Sequence, residues 1–172
     1  MIVPMSEHKK LKYFKEETLE AAAEEYGWTI INDDNRKELF MDMIRQMDMS
    51  YSYKPVLVKS ILEYADKNRR VKLDDIVSYF KSFYEDRRAK GLIPEKVKSI
   101  FAKGGYTDKD AQRNILSNPF KRFEDMQMLR HTKTLGIIEV ETTVWKHLTD
   151  EEKEEIRQIC EDKLEGYYKR LK

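Results

Sequence analysis

The segment Val71-Lys-Leu-Asp-Asp-Ile-Val-Ser-Tyr-Phe-Lys-Ser-Phe-Tyr-Glu-Asp-Arg-Arg88 carries the clearest structural signal in the chain. Val71 and Leu73 alternate with Lys72, which is typical of a short strand. Asp74 then suits the N-cap of a helix. The apolar residues that follow recur at helical spacing and form one stripe: Ile76, Val77, Phe80, Phe83 and Tyr84. The segment therefore predicts a short strand that leads directly into a long helix.

The chain on the N-terminal side of this segment is predicted to form three helices. The first covers about residues 14–26 and ends at Gly27, and the second begins after Asn32-Asp-Asp34. The third begins near Pro55, because proline is favoured in the first turn of a helix. The second helix has a methionine-rich apolar face formed by Leu39, Phe40, Met43, Ile44 and Met47. We interpret this face as core, although methionine also suits an adaptable partner surface.

The C-terminal side is predicted to contain a long connection, two short helices, a hairpin and a final helix. The connection covers residues 92–106, and Thr107 and Thr149 each begin a capping-box sequence. Pro119 begins a helix that we expect to continue to Leu129. Alternating apolar residues predict hairpin strands at residues 135–140 and 142–148.

From residue 55 onward the predicted order is helix, strand, helix, helix and hairpin, which is the order of a winged helix-turn-helix. We therefore predict a mainly α fold with a small β-hairpin (α+β), in which a winged-helix-like core carries extra N- and C-terminal helices. Residues 1–54 form an N-terminal helical extension packed on the core, residues 55–148 the winged-helix-like domain and residues 149–172 the C-terminal helix. About 15 residues separate the second and third core helices, so either an insertion decorates the fold or the element count is wrong.

The composition indicates a single globular unit outside the membrane. The 172 residues are 40% apolar and 38% charged, with a mean hydropathy of −0.77. No apolar run approaches the roughly 18–20 residues that a membrane span requires, and the chain becomes charged too early for a secretion signal. The single cysteine, Cys160, cannot form an intrachain disulfide. We therefore expect a cytoplasmic protein without membrane contact.

Four stretches carry a resemblance to a known class of proteins. They are Met47-Asp-Met-Ser-Tyr-Ser-Tyr-Lys-Pro55, the helical part of the segment quoted first, Asn114-Ile-Leu-Ser-Asn-Pro-Phe-Lys-Arg122 and Leu148-Thr-Asp-Glu-Glu152. Across roughly residues 38–170 the chain resembles the C-terminal accessory region of bacterial DEAD/DEAH-type helicases and related restriction or defence proteins. The phosphate loop G-x-x-x-x-G-K-S/T of a helicase motor is missing. The resemblance therefore implies an accessory role near nucleic acid and no ATPase activity.

Basic residues are concentrated in the middle of the chain. Residues 55–136 hold 18 basic and 11 acidic side chains, residues 1–54 hold 8 and 11, and residues 137–172 hold 7 and 10. Because positive charge attracts the phosphate backbone, we predict a face that binds DNA or RNA. Its predicted residues are Lys67, Arg69, Arg70, Arg87, Arg88, Lys121, Arg122, Arg130 and Lys133.

Two of these arginines, Arg122 and Arg130, are the predicted base readers, since arginine binds guanine through two hydrogen bonds. We expect Glu139 and Glu141 to repel phosphate from the hairpin. The alternative interpretation is that the basic clusters are solvated helix faces, paired with nearby carboxylates such as Asp86 and Asp125.

No catalytic, cofactor or metal site is predicted, so we expect a protein that is not an enzyme. His8, His131 and His147 are far apart and lack the spacing of metal ligands. Cys160 lies beside Glu161 and Asp162, which disfavour a reactive thiolate, and we expect it to be buried.

Two functions agree with these observations. The first is a non-enzymatic, helicase-associated module that binds nucleic acid through the central basic face. The second is a protein-protein interaction or dimerisation module without nucleic-acid binding. In that second case the acidic terminal helices and the methionine-rich helix dock onto a helicase, a nuclease or a second copy of the chain.

Overall fold

The computed structural model describes residues 16–171, which form nine α-helices and three short strands. The helices are α1 (Glu16–Tyr26), α2 (Arg36–Arg45), α3 (Tyr53–Tyr64), α4 (Leu73–Ala89), α5 (Ile100–Lys103), α6 (Asp108–Ser117), α7 (Pro119–Asp125), α8 (Thr142–Trp145) and α9 (Asp150–Arg170). The strands are β1 (Arg70–Lys72), β2 (Leu129–Thr132) and β3 (Ile137–Val140), and a 3₁₀ turn at Lys133–Leu135 follows β2. Within this part of the chain, no helix combines the length and apolar character that crossing a bilayer requires.

The three strands form one antiparallel sheet in the order β1-β3-β2. Successive side chains of a strand point to opposite faces of the sheet. One face carries Val71 and Ile138, which are buried in the core. The other face carries a cross-strand row in which Arg70 and Arg130 lie on either side of Glu139. The mainly helical α+β class predicted from the sequence is therefore confirmed.

The hairpin lies earlier in the chain than predicted. Its strands are β2 and β3, whereas residues 142–145 form α8. The helix that begins at Pro119 ends at Asp125, because Gln127 has a φ of 57° and turns the chain toward β2. Met126, Met128 and Leu129 are all buried, so no alternation of apolar and polar residues marks the change from helix to strand.

Both predicted capping boxes are confirmed, but α4 begins at Leu73 with Lys72 as its N-cap, so the predicted N-cap Asp74 lies inside the helix. Both capping boxes form: the Thr107 hydroxyl accepts a hydrogen bond from the Asp110 amide at 3.2 Å, and the Thr149 hydroxyl accepts one from the Glu152 amide at 3.1 Å. The stripe of α4 is buried except for the partly exposed Phe83. Of the predicted methionine-rich face, Phe40, Ile44 and Met47 are buried in the core, and Leu39 and Met43 are partly buried against it. The first predicted helix begins at residues 14 and 15, which lie outside the described range.

The long connection between α4 and α6 is a packed part of the fold. Phe101 of α5 is fully buried, and its ring stacks on that of Tyr84 with 4.6 Å between the centroids. Glu95 is also buried, although it lies in a segment without helix or strand. Its carboxylate accepts hydrogen bonds from the Ser52 amide at 2.9 Å and the Ser52 hydroxyl at 2.5 Å. The Ser52 side chain makes no cap of its own, so Glu95 caps the N-terminus of α3 from 43 residues away.

Candidate nucleic-acid interface

The cross-strand row on the outer face of the sheet joins two predicted site residues through one carboxylate. Arg70 Nε lies 2.8 Å from Glu139 Oε1, and Arg130 Nη2 lies 2.7 Å from Glu139 Oε2. The Glu139 side chain is only 10% exposed, whereas those of Arg70 and Arg130 are 50% and 76% exposed. Hydrogen bonds from Arg70 and then Arg130 hold the pKa of Glu139 below its usual value. The carboxylate therefore fixes both arginines on the sheet surface.

This arrangement keeps an excess of positive charge on the sheet. One carboxylate faces two guanidinium groups, and each guanidinium carries several N–H donors of which Glu139 occupies one. Lys72 is exposed on β1 and lies two residues after Arg70, so it shares the same face. Glu139 was expected to repel phosphate from the hairpin. It instead serves as the anchor of two cations, and its negative charge is more than balanced locally.

Two further predicted residues lie in the turns that adjoin this face. Lys67 is exposed in the turn before β1, and Lys133 is exposed at the start of the 3₁₀ turn between β2 and β3. Neither lysine has an ion pair with any residue from 16 to 171. We name the set Arg70, Lys72, Arg130 and Glu139, with Lys67 and Lys133 in the adjoining turns, the basic sheet face.

Three other predicted residues hold the fold together instead. Arg69 adopts a φ of 66°, and its Nε donates to the Val140 carbonyl at 3.1 Å. Arg87 lies over the Tyr168 ring at 3.3 Å and donates to the Ile93 carbonyl, while Arg88 donates to the Phe101 carbonyl at 2.9 Å. Each of these guanidinium groups donates to a backbone oxygen, and contact with nucleic acid stays a prediction for the three arginines.

The last two predicted residues lie on α7, apart from the basic sheet face. Lys121 pairs with Asp125 and lies 3.5 Å from Glu124, as the alternative interpretation of the basic clusters expected. Arg122 is exposed beside Lys54 at the edge of a groove. Arg70 and Arg130 therefore lie together on the sheet, Lys67 and Lys133 lie in turns at opposite ends of it, and the other five predicted residues are not part of the basic sheet face.

Of the two predicted base readers, Arg122 lies on the helix that begins at Pro119, as expected, whereas Arg130 does not. Arg130 lies on a strand and is bound to Glu139, so its guanidinium is positioned on the sheet rather than on a helix that enters a groove. Arg122 follows the buried Phe120 on a helix of only seven residues. Lys72 was not among the predicted residues, because the predicted strand covered residues 71–73 and left Arg70 in the preceding turn, whereas β1 contains both.

Within residues 16–171, Cys160, His131 and His147 lie on different parts of the fold. Cys160 is buried, and burial raises the pKa of its thiol to about 12, so the neutral thiol is the stable form near pH 7. The His131 ring contacts that of Phe120 with 6.1 Å between centroids, His147 is exposed, and His8 lies outside the described residues. Over residues 16–171, no three His, Cys, Asp or Glu side chains are grouped in a way that would hold a metal ion.

No family model matches the chain, and no curated protein or solved structure is significantly similar to it. The functional interpretation therefore depends on the residues and geometry described above.

Proposed function

We propose that the chain is a non-enzymatic accessory module of the winged-helix type that binds the nucleic-acid backbone through the basic sheet face. The observation that carries this proposal is the row Arg70–Glu139–Arg130, which presents two exposed guanidinium groups on an open sheet. Arginine and lysine side chains on such a face neutralise phosphates and release counterions. Association with a helicase motor is part of the proposal and depends on the sequence resemblance alone, since no family model or curated protein matches the chain.

The order of the elements supports the winged-helix part of the proposal. In a winged helix, the strand between the first two helices pairs with the C-terminal hairpin. Here β1 lies between α3 and α4 and pairs with β3 of the hairpin. The amide of Leu73 at the start of α4 donates to the Gly136 carbonyl at 2.8 Å, and Gln112 of α6 donates to Asp74 at 3.0 Å. The hairpin turn and α6 therefore both lie against the start of α4.

The side chains of the basic sheet face favour contacts with the nucleic-acid backbone over the recognition of bases. Its cross-strand rows carry Arg70, Glu139 and Arg130, then Lys72, Ile137 and Thr132, so these rows offer no aromatic ring on which a base can stack. Both arginines are held by Glu139 and are not free to rearrange for a base edge. We therefore expect binding that depends on salt and varies little with base sequence.

A charge reversal in the two turns tests the proposal without disturbing the fold. The variant Lys67→Glu/Lys133→Glu changes exposed side chains that have no ion pair among residues 16–171. Fluorescence anisotropy with a labelled DNA duplex is expected to show binding that weakens steeply between about 50 mM and about 200 mM salt. In the variant, the plot of the logarithm of the binding constant against the logarithm of the salt concentration should be less steep by about 2. Each lysine that contacts a phosphate contributes about 1 to this slope.

The matched control is Lys98→Glu/Lys103→Glu, which makes the same change of charge at two exposed lysines outside the basic sheet face. This control should leave the salt slope within about 0.5 of that of the unmodified chain, because it removes no phosphate contact. An equal decrease of the salt slope in both double variants would mean that DNA binding depends only on the net charge of the chain. The proposed interface would then be wrong.

A second candidate function is protein binding through the connection between α4 and α6. Leu92, Ile93 and Val97 are exposed there on a segment that Glu95 anchors to the core. Exposed apolar side chains on an ordered segment are typical of protein-binding surfaces. The methionine-rich face of α2 offers less support, since its Phe40, Ile44 and Met47 are buried. Absence of duplex binding at low salt would favour this second function.

A further inference from the structure

Two adjoining grooves meet at a pair of basic residues on α3 and α7. Their volumes are about 460 Å³ and about 410 Å³. The first has an apolar wall formed by Leu39, Met43, Met47, Phe123 and Met126. The second is lined by polar side chains that include Ser50, Tyr51, Ser117 and Asn118. Both grooves share Asp48, Lys54 and Arg122, so these residues lie at the junction of the two.

The positive charges of Lys54 and Arg122 are not balanced by ion pairs. Lys54 Nζ donates to the backbone carbonyl of Asp48 at 2.9 Å, and neither basic side chain lies within salt-bridge distance of a carboxylate in residues 16–171. Burial lowers the pKa of Lys54, and repulsion by Arg122 lowers it further, while the charge of Asp48 opposes the shift. Two like charges therefore repel each other across this junction, where Lys54 is partly buried and Arg122 is exposed.

The other charged residues of the grooves are already paired. Lys121 pairs with Asp125, and Asp42 lies 3.6 Å from Arg45. The exposed Asp48 is the remaining carboxylate, and it lines both grooves together with the two basic residues Lys54 and Arg122. The junction therefore has a positive excess that an anion would neutralise.

We infer that Lys54 and Arg122 form a binding site for a phosphate group at this junction. A phosphate oxygen can accept hydrogen bonds from the ammonium and guanidinium groups together, and such charge-assisted bonds are the stronger kind. The hydroxyl-bearing Ser50 and Tyr51 line the same groove and are further candidate donors. The apolar wall beside the cations provides room for the organic part of a phosphate ester. The site lies on elements other than the strands of the basic sheet face, so it does not depend on the proposed function.

The test uses two small probes, inorganic phosphate and phenyl phosphate, titrated into the whole chain at constant ionic strength with sodium chloride. Nuclear magnetic resonance signals of the Lys54 and Arg122 side chains should shift and saturate with phosphate. Tighter binding of phenyl phosphate supports a phosphate ester that uses the apolar wall. Equal binding of the two probes supports a site for free phosphate.

Variants separate this site from general attraction of anions. Arg122→Gln and Lys54→Met are each expected to weaken phosphate binding about tenfold, the loss expected when one charged hydrogen bond is removed. Arg113→Gln, which removes an arginine that is 79% exposed on α6 and outside both grooves, should leave it unchanged. The variant Lys67→Glu/Lys133→Glu should retain phosphate binding even if it loses DNA. Circular dichroism verifies that each variant is folded.

Two results would overturn the inference. One is the absence of saturable binding beyond the effect of sodium chloride. The other is an equal loss of affinity in Arg122→Gln and Arg113→Gln, since that would show attraction to the whole surface and not to the junction of the grooves.

Discussion

Replacing Phe101 by alanine is expected to lower the free energy of unfolding by about 4 kcal/mol, because the truncation leaves a cavity in the middle of an aromatic cluster. The ring is fully buried. Its centroid lies 4.6 Å from that of Tyr84, 5.0 Å from that of Tyr106, and 5.6 Å from those of Tyr53 and Phe80. Urea unfolding followed by circular dichroism measures the loss.

Leu92→Ala is the control for Phe101→Ala, since Leu92 lies on the same connection and its side chain is exposed. It should change the free energy of unfolding by no more than about 0.5 kcal/mol. If Phe101→Ala is too unstable to purify, Phe101→Leu keeps part of the volume and should cost about 2 kcal/mol. If neither Phe101 variant lowers the free energy of unfolding, the connection between α4 and α6 is not part of the core.

Replacing Glu95 by alanine is expected to destabilise the chain by roughly 3 kcal/mol, because it leaves buried donors without a partner. The Glu95 carboxylate accepts hydrogen bonds from the amide and hydroxyl of Ser52, from the Tyr167 hydroxyl and from the Lys96 amide. These bonds join the connection to the start of α3 and the end of α9. Urea unfolding of Glu95→Ala against the unmodified chain measures the effect.

Two variants make the Glu95 result specific. Glu85→Ala removes an exposed glutamate from α4 and should cost no more than about 0.5 kcal/mol. Glu95→Gln keeps the shape but places an amide donor against groups that already donate, so it should also destabilise the chain. Full stability of Glu95→Ala would mean that water or a neighbouring group replaces the carboxylate, and the proposed cap of α3 would be wrong.

The helices were predictable because their signals are local. The capping boxes at Thr107 and Thr149 and the stripe of α4 need only a few neighbouring residues to be recognised. The hairpin was misplaced because Met126, Met128 and Leu129 are buried whether they belong to a helix or to a strand. The left-handed conformation of Gln127, which ends the helix there, has no signal in the residue type.

The basic sheet face was predictable only in part, since its centre is built by strand pairing. Glu139 is 69 residues from Arg70 in sequence, and the register of β3 between β1 and β2 brings the two side chains together. Counts of charged residues show that the middle of the chain is basic. They do not show which basic side chains are bound to backbone carbonyls. Arg87 and Arg88 therefore looked equivalent to Arg70, although they hold the connection in place.

The buried position of Glu95 was not predictable for a related reason. Charged residues in a segment with proline and glycine are normally solvated. The partners of Glu95 come from three places: Ser52 at the start of α3, Tyr167 on α9 and its own neighbour Lys96. No spacing pattern within the connection indicates such a set of contacts.

The most direct test of the basic sheet face is a titration of the ¹⁵N-labelled chain with a short DNA duplex at low salt, followed through the backbone amide signals. We expect the largest shifts in β1, β2, β3 and the turns that contain Lys67 and Lys133, and we expect these shifts to disappear as salt is added. Shifts confined to α6, α9 or the connection, with the sheet unaffected, would contradict it.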